Sequence, residues 1–327
     1  MGRYVARRLL NYVILLFIAV SLTYFLAASQ LNPRSLYLIV NPPLDPQSIE
    51  ESLLSRNLSD NVPLLERYWI WLKDILTSWD WGDSPKGGPV TEEIGRRILV
   101  SLRLITAGSL IGTVIGVTIG AWTATRQYKF SDRFFTLGSL FILSVPAFVI
   151  ASVLQVTASK TNNATGLRLF EFVGETGSRG GYFGAVLVDR IQHLVLPTFV
   201  LILINAAFFS RIQRNLMLDA LGSDFVRTAR AKGLRQSRAV MKHALRTSLV
   251  PTGTYFAFTV ATLFTGATFM EIIFSFHGMG EYAVTTITQQ DVNGAVAAAA
   301  FAGICVLGGA ILADIMVAVL DPRVRLS

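Results

Sequence analysis

A chain of 327 residues could hold two soluble domains, but 52% hydrophobic residues, only 15% charged ones and a mean hydropathy of +0.51 argue for an integral membrane protein instead. The formal net charge of +8 would suit nucleic acid, yet the excess Lys and Arg sit beside apolar runs, where they orient helices in a bilayer, so nucleic acid is not an expected partner. The single cysteine, Cys305, lies in an apolar run, offers no intrachain disulfide and is expected to pack as a small hydrophobe.

In chain order, Arg3, Arg7 and Arg8 precede residues 9–28, an uncharged run able to cross a hydrocarbon core of about 30 Å at about 1.5 Å per residue. It is read as a first, uncleaved span, because the apolar core of a signal peptide is typically shorter. From residue 30 to about 97 the sequence turns polar, and Pro33, Pro42, Pro43 and Pro46 rule out one continuous helix. Pro63 then opens a stretch where Leu65, Tyr68, Leu72, Ile75, Leu76 and Trp79 recur at helical spacing, which predicts an amphipathic helix in a folded extramembrane segment. Trp69, Trp71, Trp79 and Trp81 would either anchor that helix at headgroup level or form the core of a small domain, and the sequence leaves both open.

A second span is expected over 102–124, with Gly108, Gly112, Gly116 and Gly120 at four-residue intervals. Glycines on one helical face let another helix approach backbone to backbone, so the stripe is read as a packing surface rather than a ligand groove. A short loop carries Arg126, Lys129 and Arg133 against Asp132, and a third span follows over 134–158, with Pro146 expected to kink it for shape rather than gating. Residues 159–192 read as an outside loop, with Gly177, Gly180 and Gly181 marking turns. The fourth span, 194–210, leads through Arg211 and Arg214 into a basic island at 219–251. The fifth, 248–270, is followed by a segment with acidic residues and no Lys or Arg up to Asp291; the sixth, 293–320, holds Asp314 near its end. The alternation of Lys and Arg between loops puts both termini and the island in the cytoplasm, and six helices satisfy it.

Asp314 is expected to pair at the interface with Arg323 and Arg325 rather than to carry protons or ions. His193, His243 and His277 lack ligand spacing, and no phosphate-binding glycine loop or zinc-protease helix is present, so no metal, no cofactor and no ATP hydrolysis are expected in this chain. The corresponding division is 1–28 for the N-terminus and first helix, 29–100 for the extracytoplasmic segment, 101–320 for the core with its loop at 219–250, and 321–327 for the tail.

Within the island, Ser223 or Asp224 can cap a helix over 225–232, and Gly233 is placed to end it in the left-handed conformation. Val226, Ala229 and Gly233 share one nearly flat face, which suggests docking by another protein. A basic loop that merely sets orientation, or lies on anionic lipid, would carry the same charge. A second helical stretch from Ser237 carries Arg238, Lys242 and Arg246 and meets Pro251 at the membrane.

The run Asp224-Phe225-Val226-Arg227-Thr228-Ala229-Arg230-Ala231-Lys232-Gly233-Leu234, with His243-Ala244-Leu245-Arg246 and Pro251 after it, resembles the cytoplasmic "EAA" loop of binding-protein-dependent ABC importer permeases, in its dipeptide/oligopeptide form. Tyr4, Arg7 and Arg8 at the start, Glu271 with Ile273 and Phe274, Gly278-Met279-Gly280, and Leu320-Asp321-Pro322-Arg323 extend the resemblance over nearly the whole chain, toward the first ("B"-type) permease subunit in its mycobacterial form. The resemblance implies an all-α type I permease fold, a coupling helix at 224–234 seated on an ATPase subunit, a second homologous permease, two ATPase domains that bind ATP and Mg, and an extracytoplasmic peptide-binding protein. It implies a bacterial cell-membrane location and import of peptides, with nickel, glutathione or other small solutes as alternatives within the family and a secondary transporter outside it. Arg227 stands where many relatives have a glutamate, and His277 where a proline often precedes the Gly-Met-Gly turn.

Overall fold

The computed structural model describes residues 2–38, 44–177 and 183–320, apart from the side chains of 2–6, 183, 260–266 and 317–320. Every element named among them is helical, and one isolated bridge joins Asp83 to Pro89. Contacts separate two compact units: Met1–Leu102 with Phe276–Leu307, and Arg103–Ser275 with Gly308–Ser327.

The first unit holds α1 (Gly2–Gln30), a 3-10 turn (Pro33–Leu36), α2 (Pro46–Ser55) and α3 (Leu64–Ser78). Sequence reading missed α2, although Pro46 stands at its first position, where a missing N–H costs no helical bond; Pro42 and Pro43 lie outside the described residues. α3 starts directly after Pro63 and ends at Trp79, whose φ of 55° turns the chain away. The four tryptophans between residues 69 and 81 divide into two pairs, with Trp71 and Trp81 buried at 4% and 6% exposure and Trp69 and Trp79 open at 64% and 61%. The Trp71 ring lies 4.7 Å from Tyr24 of α1 and 6.1 Å from Trp81, and the Tyr68 and Ser21 hydroxyls share a 2.8 Å hydrogen bond. Ile49, Leu53 and Leu58 close against Val292, so residues between the first two long helices fold onto the end of α1 and the start of α12 (Val292–Leu320). The Asp291 carboxylate accepts the Gly294 N–H at 2.9 Å and caps α12. In α11 (Met279–Thr288), Glu281 pairs with Arg97, whose guanidinium also lies 4.8 Å from the Tyr282 ring centre.

α4 (Val90–Ala124) begins in the first unit and continues into the second, and its 35 residues make about 52 Å, well beyond a core of about 30 Å. The second unit adds α5 (Phe130–Ser144), α6 (Ala147–Thr165), α7 (Phe183–Leu221) and α10 (Arg246–Ile273). The expected kinked span at 134–158 is instead two helices bent by 98°. Val145 takes the extended backbone that the residue before a proline prefers, which cuts the hydrogen-bond ladder outright. The expected loop at 159–192 shrinks, since α6 runs to Thr165 and α7 starts at Phe183; Gly177 donates its N–H to Asp189 at 2.6 Å, while Gly180 and Gly181 lie outside the described residues. Pro197 and Pro251 sit inside α7 and α10 without ending either helix.

Among the described residues, four helices are long and apolar enough to cross a membrane, Arg7–Gln30, Val90–Ala124, Gly184–Leu221 and Val292–Met316, or five if α5 and α6 form one span. α10 occupies the fifth expected span. Residues 321–327, and with them Arg323 and Arg325 as partners of Asp314, lie outside the described residues.

The glycine stripe of α4 runs along α7. A Cβ on Gly108 would lie 2.6 Å from Leu201 Cβ, on Gly112 2.7 Å from Asn205 Cβ, and on Gly116 2.7 Å from the Ala206 carbonyl oxygen. One on Gly120 would collide with the Ser210 carbonyl and lie 2.9 Å from the Arg214 nitrogen. Only hydrogen fits at these four positions, so the two backbones touch.

Candidate functional site

The basic island begins inside α7, which runs to Leu221, and resumes as α8 (Asp224–Ala231). Ser223 stands at the N-cap with extended backbone, but its hydroxyl bonds back to the Ala220 carbonyl at 2.5 Å instead of capping α8. The other end is closed by two backbone bonds, Gly233 N–H to Arg230 O at 2.9 Å and Leu234 N–H to Ala229 O at 3.2 Å. That paired pattern requires a left-handed residue, and Gly233 supplies it with φ of 88°. A single turn α9 (Gln236–Ala239) follows, then a wider π turn (Val240–Leu245) that merges into α10.

The face that α8 turns inward corrects the sequence reading. Val226 and Ala229 are 3% and 6% exposed, and Val226 packs among Ala124, Met217, Ala220, Val240 and Ala244. The small residues therefore fasten α8 to the ends of α4 and α7 and to the π turn, and do not form an outward docking face. What α8 shows outward is Asp224, Phe225, Arg227, Thr228, Arg230 and Ala231, followed by Lys232 and Gly233. Phe225 is 45% exposed, and Arg227 reaches Asp224 only at 3.8 Å with both side chains mostly in solvent, so that pair adds little stability. The outward surface is an aromatic ring among cations.

Two polar arrangements that sequence reading missed hold the base of this loop. Gln213 on α7, wholly buried, donates to the Ser248 hydroxyl at 2.7 Å and accepts from Thr252 at 2.5 Å, tying α7 to α10. Arg214 forks onto Asp132 with bonds of 2.5 and 2.9 Å, and Asp132 also accepts the Tyr128 N–H at 2.9 Å. The only sequence signal was the presence of uncharged and paired polar residues at the apolar end of a helix. His193 and His277 lie far along the chain from His243, each near its own carboxylate: His193 is buried 3.8 Å from Asp189, and His277 is exposed 3.8 Å from Glu281. No group of three metal-ligating side chains occurs among the described residues.

Residues 116–326 match the family described as binding-protein-dependent transport system inner membrane component. The chain is similar to the oligopeptide transport system permease protein OppB of Mycobacterium tuberculosis, at 49% identity over the full length of both chains. It is 31% identical to the oligopeptide transport system permease protein AppB of Bacillus subtilis over 99% of this chain and all of that protein. It is 32% identical to the dipeptide transport system permease protein DppB of Lactococcus lactis over the full length of both.

Proposed function

The chain belongs to the family of binding-protein-dependent transport system inner membrane components, and on that premise we propose that it is the transmembrane permease subunit of an ATP-driven oligopeptide or dipeptide importer. Relatives named for oligopeptides and dipeptides favour peptide as cargo over nickel, glutathione or other small solutes, and full-length similarity to them disfavours a secondary transporter. Its partners on this reading are a second homologous permease, two ATPase domains that hold ATP and Mg, and an extracytoplasmic peptide-binding protein. The chain itself is non-catalytic.

Two contacts within the second unit support six crossings. The Asp132 to Arg214 pair brings the α4 to α5 loop and the end of α7 together, so α5 and α6 jointly cross once if α7 crosses once. The Gly174 N–H reaches the Phe274 carbonyl at 2.8 Å, which favours α10 as a crossing back to the side of the α6 to α7 connection. With α1, α4 and α12 the count is six, and the Lys and Arg bias then gives cytoplasmic termini, a cytoplasmic α8 and an extracytoplasmic 29–100 segment.

The observation that carries the mechanism is the division of α8 between a buried fastening face and an exposed contact face. Residues 224–234 act as the coupling helix: an ATPase subunit pushes on Phe225, Arg227 and Thr228, while the buried face at Val226 passes the displacement to α4, α7 and the π turn that leads into α10. Such a packed junction moves as a body, and the bundle switches between two packings instead of deforming continuously. The test pairs Phe225→Asp with Arg227→Asp in the reconstituted importer. The double variant should leave the permease folded and abolish peptide-stimulated ATP hydrolysis and uptake; normal coupling by it would refute the contact face.

A further inference from the structure

We infer that α3 is a membrane-interfacial anchor, seated by Leu65, Trp69, Leu76 and Trp79 in the headgroup layer of the bilayer into which α1 passes. At 100° per residue Leu65, Trp69 and Leu76 fall within about 40° of one another, and Trp79 follows directly after the end of α3; each of the four is 61% exposed or more. This stripe adjoins the face that α3 buries through Arg67, Tyr68 and Trp71, with Leu72 buried at the border between them.

Depth identifies what covers the stripe. α3 packs on α1 through Tyr68 with Ser21 and Trp71 with Tyr24, and those α1 residues lie about 6 to 11 Å inside the end of the apolar stretch at Ala28, at about 1.5 Å per residue. α1 is itself an apolar span whose Ile18, Leu22 and Leu26 stand open at 48%, 58% and 64%. A helix held at that level against a lipid-facing span sits within reach of the boundary between headgroups and acyl chains. Its composition fits that layer, since tryptophan places an apolar ring and a polar N–H where both are satisfied. Glu66, Lys73 and Thr77 occupy the neighbouring solvent face, as in helices that lie in the interface plane. A globular domain standing clear of the bilayer would instead leave two tryptophans and two leucines in water.

The test uses the full chain in lipid nanodiscs with its partner subunits, Cys305→Ser removing the native thiol. Single cysteines at 65, 69, 76 and 79, with 66 and 77 as controls, carry spin labels whose collisions with oxygen and with a water-soluble nickel chelate are compared. All six positions are exposed, so folding is expected to survive. The ratio of oxygen to chelate collisions should rise several-fold at 65, 69, 76 and 79 over 66 and 77. Chelate access equal to the controls would overturn the anchor in favour of a solvated face. Shielding from both reagents would overturn it in favour of a protein partner.

Discussion

Replacing Gly116 by alanine adds one methyl group where α4 meets α7. That Cβ would lie 2.7 Å from the Ala206 carbonyl oxygen and 2.8 Å from Phe209 Cβ, against the 3.4 Å at which ordinary contact begins. None of these atoms is the free end of a flexible chain, so the two helices must separate along their length and lose contacts at Gly108, Gly112 and Gly120 as well. Overpacking of this kind costs about 1 to 3 kcal/mol. Gly138 in α5 is the matched control: nothing lies within 4 Å of its Cβ position, and alanine there should gain about 0.5 to 1 kcal/mol of helix propensity. The two variants should therefore differ by at least about 1 to 3 kcal/mol, roughly 5- to 150-fold in the folded-to-unfolded ratio. Thermal unfolding of the purified protein in one detergent, followed by loss of the monodisperse peak, reads this difference. Equal stability of Gly116→Ala and Gly138→Ala would refute backbone contact between α4 and α7.

Arg214→Ala should cost about 3 kcal/mol or more, because it strands a carboxylate that is 3% exposed, and Asp132→Ala added to it should restore part of the loss in the same unfolding assay. Burial pushes the Asp291 carboxyl above the usual carboxylate range. Its contribution to stability is present in full below its unfolded pKa of about 3.9 and is lost as pH rises through the higher folded value. Unfolding temperatures measured upward from about pH 4 should thus fall more steeply for the native protein than for Asp291→Asn. Gly233→Ala meets no atom within 4 Å but must hold φ of 88°, at a cost of about 1 to 2 kcal/mol. Amide exchange across 224–231 should accelerate roughly 5- to 30-fold, and unchanged exchange would show that the left-handed stop does not hold α8.

The apolar runs marked where long helices would be, because about twenty uncharged residues have few other solutions in a bilayer. Their ends were less legible. α4 and α7 extend past their apolar windows, since a helix need not stop where the lipid does when its polar turns find partners such as Glu281 for Arg97 and Asp132 for Arg214. Pro146 announced a disturbance, but whether it bends a helix or breaks it depends on what receives the freed backbone groups, which lies outside any local window. The candidate site shows the same division. Gly233 and the short helix before it were readable from capping rules, whereas the direction of Val226 and Ala229 was not. Periodicity says which residues share a face, and small residues suit a docking surface and a tight junction equally well. Contacts between residues as distant as Asp132 and Arg214 leave no trace in spacing.

The sorting of α8 into inward Val226 and Ala229 and outward Phe225, Arg227 and Thr228 separates two kinds of physical constraint within eight residues. Val226 and Ala229 answer to the chain's own interior, where added volume has nowhere to go. Phe225, Arg227 and Thr228 answer only to whatever lies opposite them. On the coupling role proposed above, exchanging the outward residues for those of a related loop would change what α8 meets while leaving the packing beneath it intact.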